Sequence, residues 1–247
     1  MVNRFRVLCA SLVAGWLSFL DVSTAQASSG QPGAYPHIPE PMVFDMMRPL
    51  GARKGELESN VLATSPLSGR ERTTHWAPEV EYAFADGLAI EFEFPFEDDR
   101  LADFKLGLQA TFGTFNQGRS VHGAQYMGIY DRKRHTYLNT LVYTLGHRFN
   151  ERWSSMSMLG LADISWSRSS RRNDLIVNQS IFFDATASTV LGLEVNYLSG
   201  NEGHVLLMPQ IHRKLSRSMN VQFGLGLNKE RGESARPEIG LRIVRQF

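Results

Sequence analysis

Glu79-Val80-Glu81-Tyr82-Ala83-Phe84-Ala85-Asp86-Gly87-Leu88-Ala89-Ile90-Glu91-Phe92-Glu93-Phe94 carries two alternating segments on either side of a tight turn. Val80, Tyr82 and Phe84 alternate with Glu79, Glu81 and Ala83. Beyond Ala85-Asp86-Gly87, Leu88, Ile90, Phe92 and Phe94 alternate with Ala89, Glu91 and Glu93. Side chains of a strand point to opposite faces in turn, so this is a hairpin with an apolar, aromatic face and a face of carboxylates and small residues. With the turn centred on Asp86, Glu81 opposes Glu91 and Glu79 opposes Glu93. Like charges directly opposite are destabilising, so this face calls for compensating cations.

The pattern continues down the chain. Phe104, Leu106, Leu108, Ala110 and Phe112 alternate with Lys105, Gly107, Gln109 and Thr111. Leu141, Tyr143 and Leu145 stand against Thr140, Thr144 and Arg148; Leu191, Leu193, Val195 and Tyr197 against Gly192, Glu194 and Asn196; Val221, Phe223, Leu225 and Leu227 against Gln222, Gly224 and Gly226. Segments near Gly123, Ser155 and Ile176 do not sort cleanly into faces. Strands are expected near 55–63, 75–84, 88–96, 103–113, 121–130, 137–149, 153–164, 174–183, 188–198, 203–212, 219–228 and 237–247. That is about twelve antiparallel strands, an even number, with ten as the alternative; the turn near Ala185 to Ser188 carries the argument, because 174–198 as one strand would put the two ends on opposite sides of the membrane. The short turns Ala85-Asp86-Gly87, Asn150-Glu151-Arg152 and Lys214-to-Ser218 then share one end. The basic loops Gly69-to-His75, Asp131-to-His135, Arg168-to-Asp174 and Lys229-to-Arg236 share the other.

Such alternation suits a soluble barrel or a membrane barrel. Three features favour the membrane form. The polar face is rich in Gly, Thr, Gln and Glu rather than Lys. Aromatics such as Tyr82, Phe84, Tyr143, Trp153, Tyr197 and Phe247 fall near strand ends, where a membrane barrel carries its girdles. The N-terminus has basic Asn3-Arg4-Phe5-Arg6, an apolar run from Val7 to Leu20, and a small-x-small site at Ala25-Gln26-Ala27, the order of a secretory signal. No later apolar run is long enough for a membrane helix, so membrane crossing requires a closed barrel.

The chain has one cysteine, Cys9, inside the expected signal, which leaves neither a disulfide framework nor a thiolate metal site. Net charge is +1, giving no bulk case for nucleic acid. His204 and His212 share one strand about 27 Å apart and cannot share a metal. His122 lacks a convincing serine partner, and there is no nucleophile elbow or phosphate loop. No enzyme activity, metal or cofactor is expected.

The last strand, 237–247, puts Ile239, Leu241, Ile243 and Phe247 on one parity, with Arg245 interrupting. It resembles the C-terminal strand of Gram-negative outer-membrane β-barrels, which close on an aromatic residue. The resemblance implies outer-membrane localisation, contact with membrane lipids and lipopolysaccharide, and Phe247 as the signal read by the barrel assembly machinery. Pro39-Glu40-Pro41-Met42-Val43-Phe44-Asp45 and Arg48-Pro49-Leu50-Gly51-Ala52, with the hairpin after Trp76, are similar to a little-characterised outer-membrane family described as transporter-like or as linked to meta-pathway phenol degradation.

The expected organisation is a signal peptide at 1–27, a Pro-rich arm at 28–54 and an all-β transmembrane barrel at 55–247. The default role of the arm is a disordered periplasmic tail. The alternative is a partial plug, with Met42-Val43-Phe44 and Met46-Met47 docked on or in the barrel. The expected function is a passive pore or transporter for an unidentified small solute. The alternatives are a closed barrel with a structural or surface role, or a lipid-modifying enzyme. Candidate lumen-lining residues are Glu79, Glu81, Glu91, Glu93, Lys105, Gln109, Arg148, Glu194 and Arg242. Lys105 is expected beside the carboxylate hairpin, and Arg242 near Glu56 and Glu58 across the seam.

Overall fold

The computed structural model describes residues 35–44, 46–69, 72–164, 173–200 and 203–247. The expected signal peptide, with its cleavage site, lies outside the described residues, as does most of the Arg168-to-Asp174 loop.

Twelve antiparallel strands close into a barrel. They are β1 (Leu57–Pro66), β2 (His75–Ala85), β3 (Leu88–Glu93), β4 (Asp103–Phe115), β5 (Ser120–Asp131), β6 (Thr136–Arg148), β7 (Trp153–Ala162), β8 (Asp174–Thr186), β9 (Thr189–Leu198), β10 (His204–Lys214), β11 (Met219–Glu230) and β12 (Arg236–Gln246). Each strand pairs with its sequence neighbours, and β1 closes the ring on β12, with Val61 opposite Ile243. Phe247 N–H donates to the Leu57 carbonyl at 3.0 Å, extending the seam by one bond.

Pro95 has no N–H to give the ladder, so β3 stops at Glu93. The register resumes with Phe96 opposite Trp76, whose rings stack at 4.2 Å. Phe96–Glu97 and Arg100–Leu101 form a short outlying hairpin there. The turn near Ala185 forms, with β8 and β9 paired up to Thr186 and Thr189 around a bulge, and the barrel has twelve strands rather than ten.

The two faces separate by chemistry. Leu106, Leu108, Leu141, Leu191, Phe223 and Leu225 are exposed on the outside. The alternating partners Lys105, Gln109, Thr140, Thr144, Gln222 and Arg242 are buried inside. This is the arrangement of a lipid-facing barrel with a polar interior. Among the described residues no helix is long and apolar enough to cross a membrane, and strands are the only elements available for that task.

The interior is not empty. The disordered-tail expectation does not describe residues 38–44 and 46–52, which run inside the barrel. Met42, Met46 and Met47 are fully buried. Ile38, Met46, Met47 and Leu50 pack on Val121, Val142, Met156, Met158 and Phe182 of β5 to β8. Met42 packs on Leu206 and Met208 of β10. The wall is recessed to receive the arm. A Cβ at Gly107 would lie 2.5 Å from Met47 Cε, and one at Gly240 would lie 2.6 Å from Met42 Cε. Only glycine leaves room for a thioether at those points.

Candidate functional site

The acidic side of the lumen is built by the first hairpin. Its register places Glu79 opposite Glu93 and Glu81 opposite Glu91, the pairing expected from the Asp86-Gly87 turn. Gly87 adopts φ 72°, which the tight connection requires. All four side chains are buried, Glu81 and Glu91 completely. On the other side of β3, β4 aligns Lys105 with Glu93. Lys105 Nζ forms an ion pair with Glu93 and lies 3.6 Å from Glu91 Oε1.

Arg242 does not reach Glu56 and Glu58. On β12 it sits opposite Leu62 of β1, and its guanidinium extends one strand further to Glu79 at 2.9 Å and Glu81 at 3.7 Å. It also donates to Asn60 Oδ1 at 3.2 Å and the Pro41 carbonyl at 3.3 Å. The physical reason is the arm. Arg48 already holds Glu56 and Glu58, each at 2.8 Å, and presents the cation expected from β12. Asn60 Nδ2 donates to Glu81 Oε1 at 2.7 Å. Gln109, also inside, donates to the Arg48 carbonyl at 2.7 Å.

The opposite side of the lumen holds the arm by its backbone. The N–H groups of Met42, Val43 and Phe44 donate to the Glu194 carboxylate at 2.9, 3.0 and 2.6 Å. Asn178, Asn196 and Gln210 side chains also donate to it. A Pro-rich segment cannot form a ladder of its own. One fully buried carboxylate supplies the acceptors its amides need, and the amides neutralise a charge that burial would otherwise make costly.

Arg148 lies at the short-turn end. It pairs with Asp184 at 2.9 Å and donates through Nε to the His37 carbonyl at 2.8 Å, and so clasps the entry of the arm. At this end a cavity of about 580 Å³ opens between the arm and the wall, lined by His37, Glu40, Glu58, His212 and Gln222 among others. Glu40 belongs to the arm rather than a spanning strand, and its carboxyl is pushed up to about 7, first by burial and then by the charge of Glu58.

The candidate residues thus divide into an acidic hairpin with Lys105 and Arg242, an arm-holding set of Glu194 and Gln109, and Arg148 at the mouth. Sequence reasoning missed Arg48, Asn60, Asn178 and Glu40, whose roles depend on the arm being inside. The pairing of His147 with Ser120, at 2.8 Å across β5 and β6, was not foreseen either. Ser120 is buried and His147 packs edge-on against Phe149, so the pair offers no accessible nucleophile.

Solved structures with the same architecture are outer-membrane porins and channels. The KdgM porin superposes with a TM-score of 0.61 at 7% identity, covering 77% of this chain and 99% of that one. The NanC porin gives 0.61 at 6% identity, with 77% and 100% covered. An outer-membrane channel from Pseudomonas putida F1 gives 0.57 at 13% identity, with 80% and 98% covered. At these identities the likeness is one of fold. A search of curated proteins finds no match. The expected tie to meta-pathway phenol degradation gains no support from any of these comparisons. One family profile covers residues 36–244, from the start of the docked arm to the closing strand, and the chain belongs to that family, the HAEPLYID-like proteins.

Proposed function

We propose that this chain is an outer-membrane β-barrel that passes small solutes passively, with its N-terminal arm seated in the passage. The observation that carries the reading is the inversion of the two faces: apolar residues exposed outside, polar and charged residues buried inside. A soluble barrel has the opposite arrangement. The porin-like fold of the neighbours points the same way.

The lining argues for the sign of the solute. Glu58, Glu79, Glu81, Glu91, Glu93, Glu194 and Glu238 are buried inside, against Arg48, Lys105 and Arg242. Rings of carboxylates favour cations over anions. One KdgM structure is described with oligogalacturonate, an acidic saccharide. The excess of carboxylates here suits neutral or cationic solutes rather than a polyanion.

The family profile begins at Pro36, so the arm belongs to the part of the chain that the family shares.

Reversal potentials test this. A barrel lacking residues 35–50, placed in a salt gradient across a planar bilayer, should prefer cations. The Glu81→Gln/Glu91→Gln pair should lower that preference while the barrel still folds. Unchanged ion preference in a conducting barrel removes the acidic hairpin from the passage. A second reading, a closed barrel with a structural or surface role, draws on the complete burial of Met42, Glu81, Glu91 and Glu194, which leaves the lumen filled at their level. It predicts no conductance even without the arm.

A further inference from the structure

The cations of the acidic hairpin are unevenly distributed. Arg242 makes its short contact to Glu79, and Lys105 makes its short contact to Glu93. The inner pair, Glu81 and Glu91, lies directly across the two strands and, among the described residues, receives the longer 3.7 Å and 3.6 Å approaches of the same two cations. Both side chains are fully buried. Among the described residues, neither oxygen of Glu91 has a hydrogen-bond partner, and Glu81 Oε2 has none either. Glu81 Oε1 is occupied by Asn60. Two buried carboxylates facing one another with open lone pairs leave acceptor sites for a cation between them.

The geometry points to a hard divalent cation, calcium above all, held by Glu79, Glu81 and Glu91. One carboxylate oxygen from each lies within 4.8 Å of the other two. An equilateral triangle of that side has its centre about 2.8 Å from each corner, so a contraction of a few tenths of an ångström reaches the calcium–oxygen range of about 2.3–2.6 Å. Magnesium, at about 2.0–2.1 Å, needs a much larger collapse and keeps several waters, for which a site with fully buried carboxylates leaves little room. All three donors are oxygens, the set chosen by calcium and magnesium rather than by softer metals. Both oxygens of Glu91 are open and can bind together, a bidentate mode that calcium accepts, while Glu81 offers Oε2. The ion would bridge β2 and β3 at the place where the hairpin is least neutralised. Arg242 also contacts the Pro41 carbonyl of the arm, so the same ion would steady the wall against which the arm sits.

The test is independent of whether the lumen conducts. The full chain, folded in detergent and stripped with a chelator, is melted across a series of calcium chloride concentrations, with magnesium chloride in parallel. The expected result is a melting temperature that rises with the logarithm of calcium concentration above half-saturation, a weaker response to magnesium, and one calcium per chain by titration calorimetry. Glu91→Gln should weaken calcium binding by about tenfold or more, and without calcium it should be no less stable than the wild type, since it removes a like-charge contact. Glu81→Gln gives a second variant should the first fold poorly. Glu233→Gln, at an exposed loop, should keep the full response. A wild type indifferent to calcium but stabilised by acid would mean that protons occupy the pair and would overturn the proposal. A calcium response unchanged by both hairpin variants would place the ion elsewhere and overturn it equally.

Discussion

At the scale of single residues, environment rather than residue type sets the consequences of a change. Leu225 and Gln222 sit three residues apart on β11, one exposed outside and the other buried inside. In a bilayer, Leu225→Arg should cost about 2–4 kcal/mol, because a charge near mid-strand meets hydrocarbon. Gln222→Arg should cost far less, because Gln222 borders the cavity at the short-turn end. Folding equilibria in lipid vesicles measure both, and equal costs would mean that the faces are assigned wrongly. Glu40 gives a second prediction, in pH. Glu58 and Glu79 raise its pKa, and Arg242 and Arg48 lower it, with burial dominant. Its docked value near 7 lies above the ordinary 4.5, so the docked arm keeps a proton that a released arm loses. Docking should therefore be tightest below about 4.5, weaken as pH rises towards 7, and level off above it. A spin label at Tyr35→Cys, with Cys9→Ser, should grow more mobile over that window. Mobility that is flat from pH 5 to 8 would contradict this.

At the scale of elements, the arm and its glycine recesses form one unit. Gly240→Ala places a Cβ against Met42 Cε and should loosen the arm, as should Met42→Ala through the lost packing. Combined, the two changes relieve the clash, so the double variant should be more stable than the sum of the singles by about 0.5–3 kcal/mol. Simple additivity in thermal melts would mean that the contact is not made. The arm also explains what the sequence revealed and what it hid. The hairpin from Glu79 to Phe94 was legible because its register depends only on alternation and a local turn. Strands near Gly123, Ser155 and Ile176 resisted assignment for a physical reason. There the lumen face carries Val121, Met156, Met158 and Phe182 to receive the arm, so both parities read as apolar. Arg242 was misplaced because its partners depend on barrel closure and on Arg48, which arrives from a segment with no strand pattern. The apolar Met42-Val43-Phe44 and Met46-Met47 of the arm signalled a segment that could pack inside, and the glycines of the polar parity at Gly107, Gly224 and Gly240 mark where it packs.

At the scale of the whole molecule, a ring of twelve strands presents an apolar exterior and encloses a lumen shared between an acidic hairpin and a docked N-terminal arm. The HAEPLYID-like family profile covers both parts. The proposed function makes the arm an occupant of the passage, latched by Glu194 and clasped by Arg148, rather than part of the wall. The direct measurement is single-channel conductance in planar bilayers of three proteins: the full chain, the chain with Glu194→Gln, and the chain lacking residues 35–50. The account predicts small or rare openings for the full chain, more frequent openings for Glu194→Gln, and steady, larger steps once the arm is gone. Silence from all three, with each shown to be folded and inserted, would contradict it.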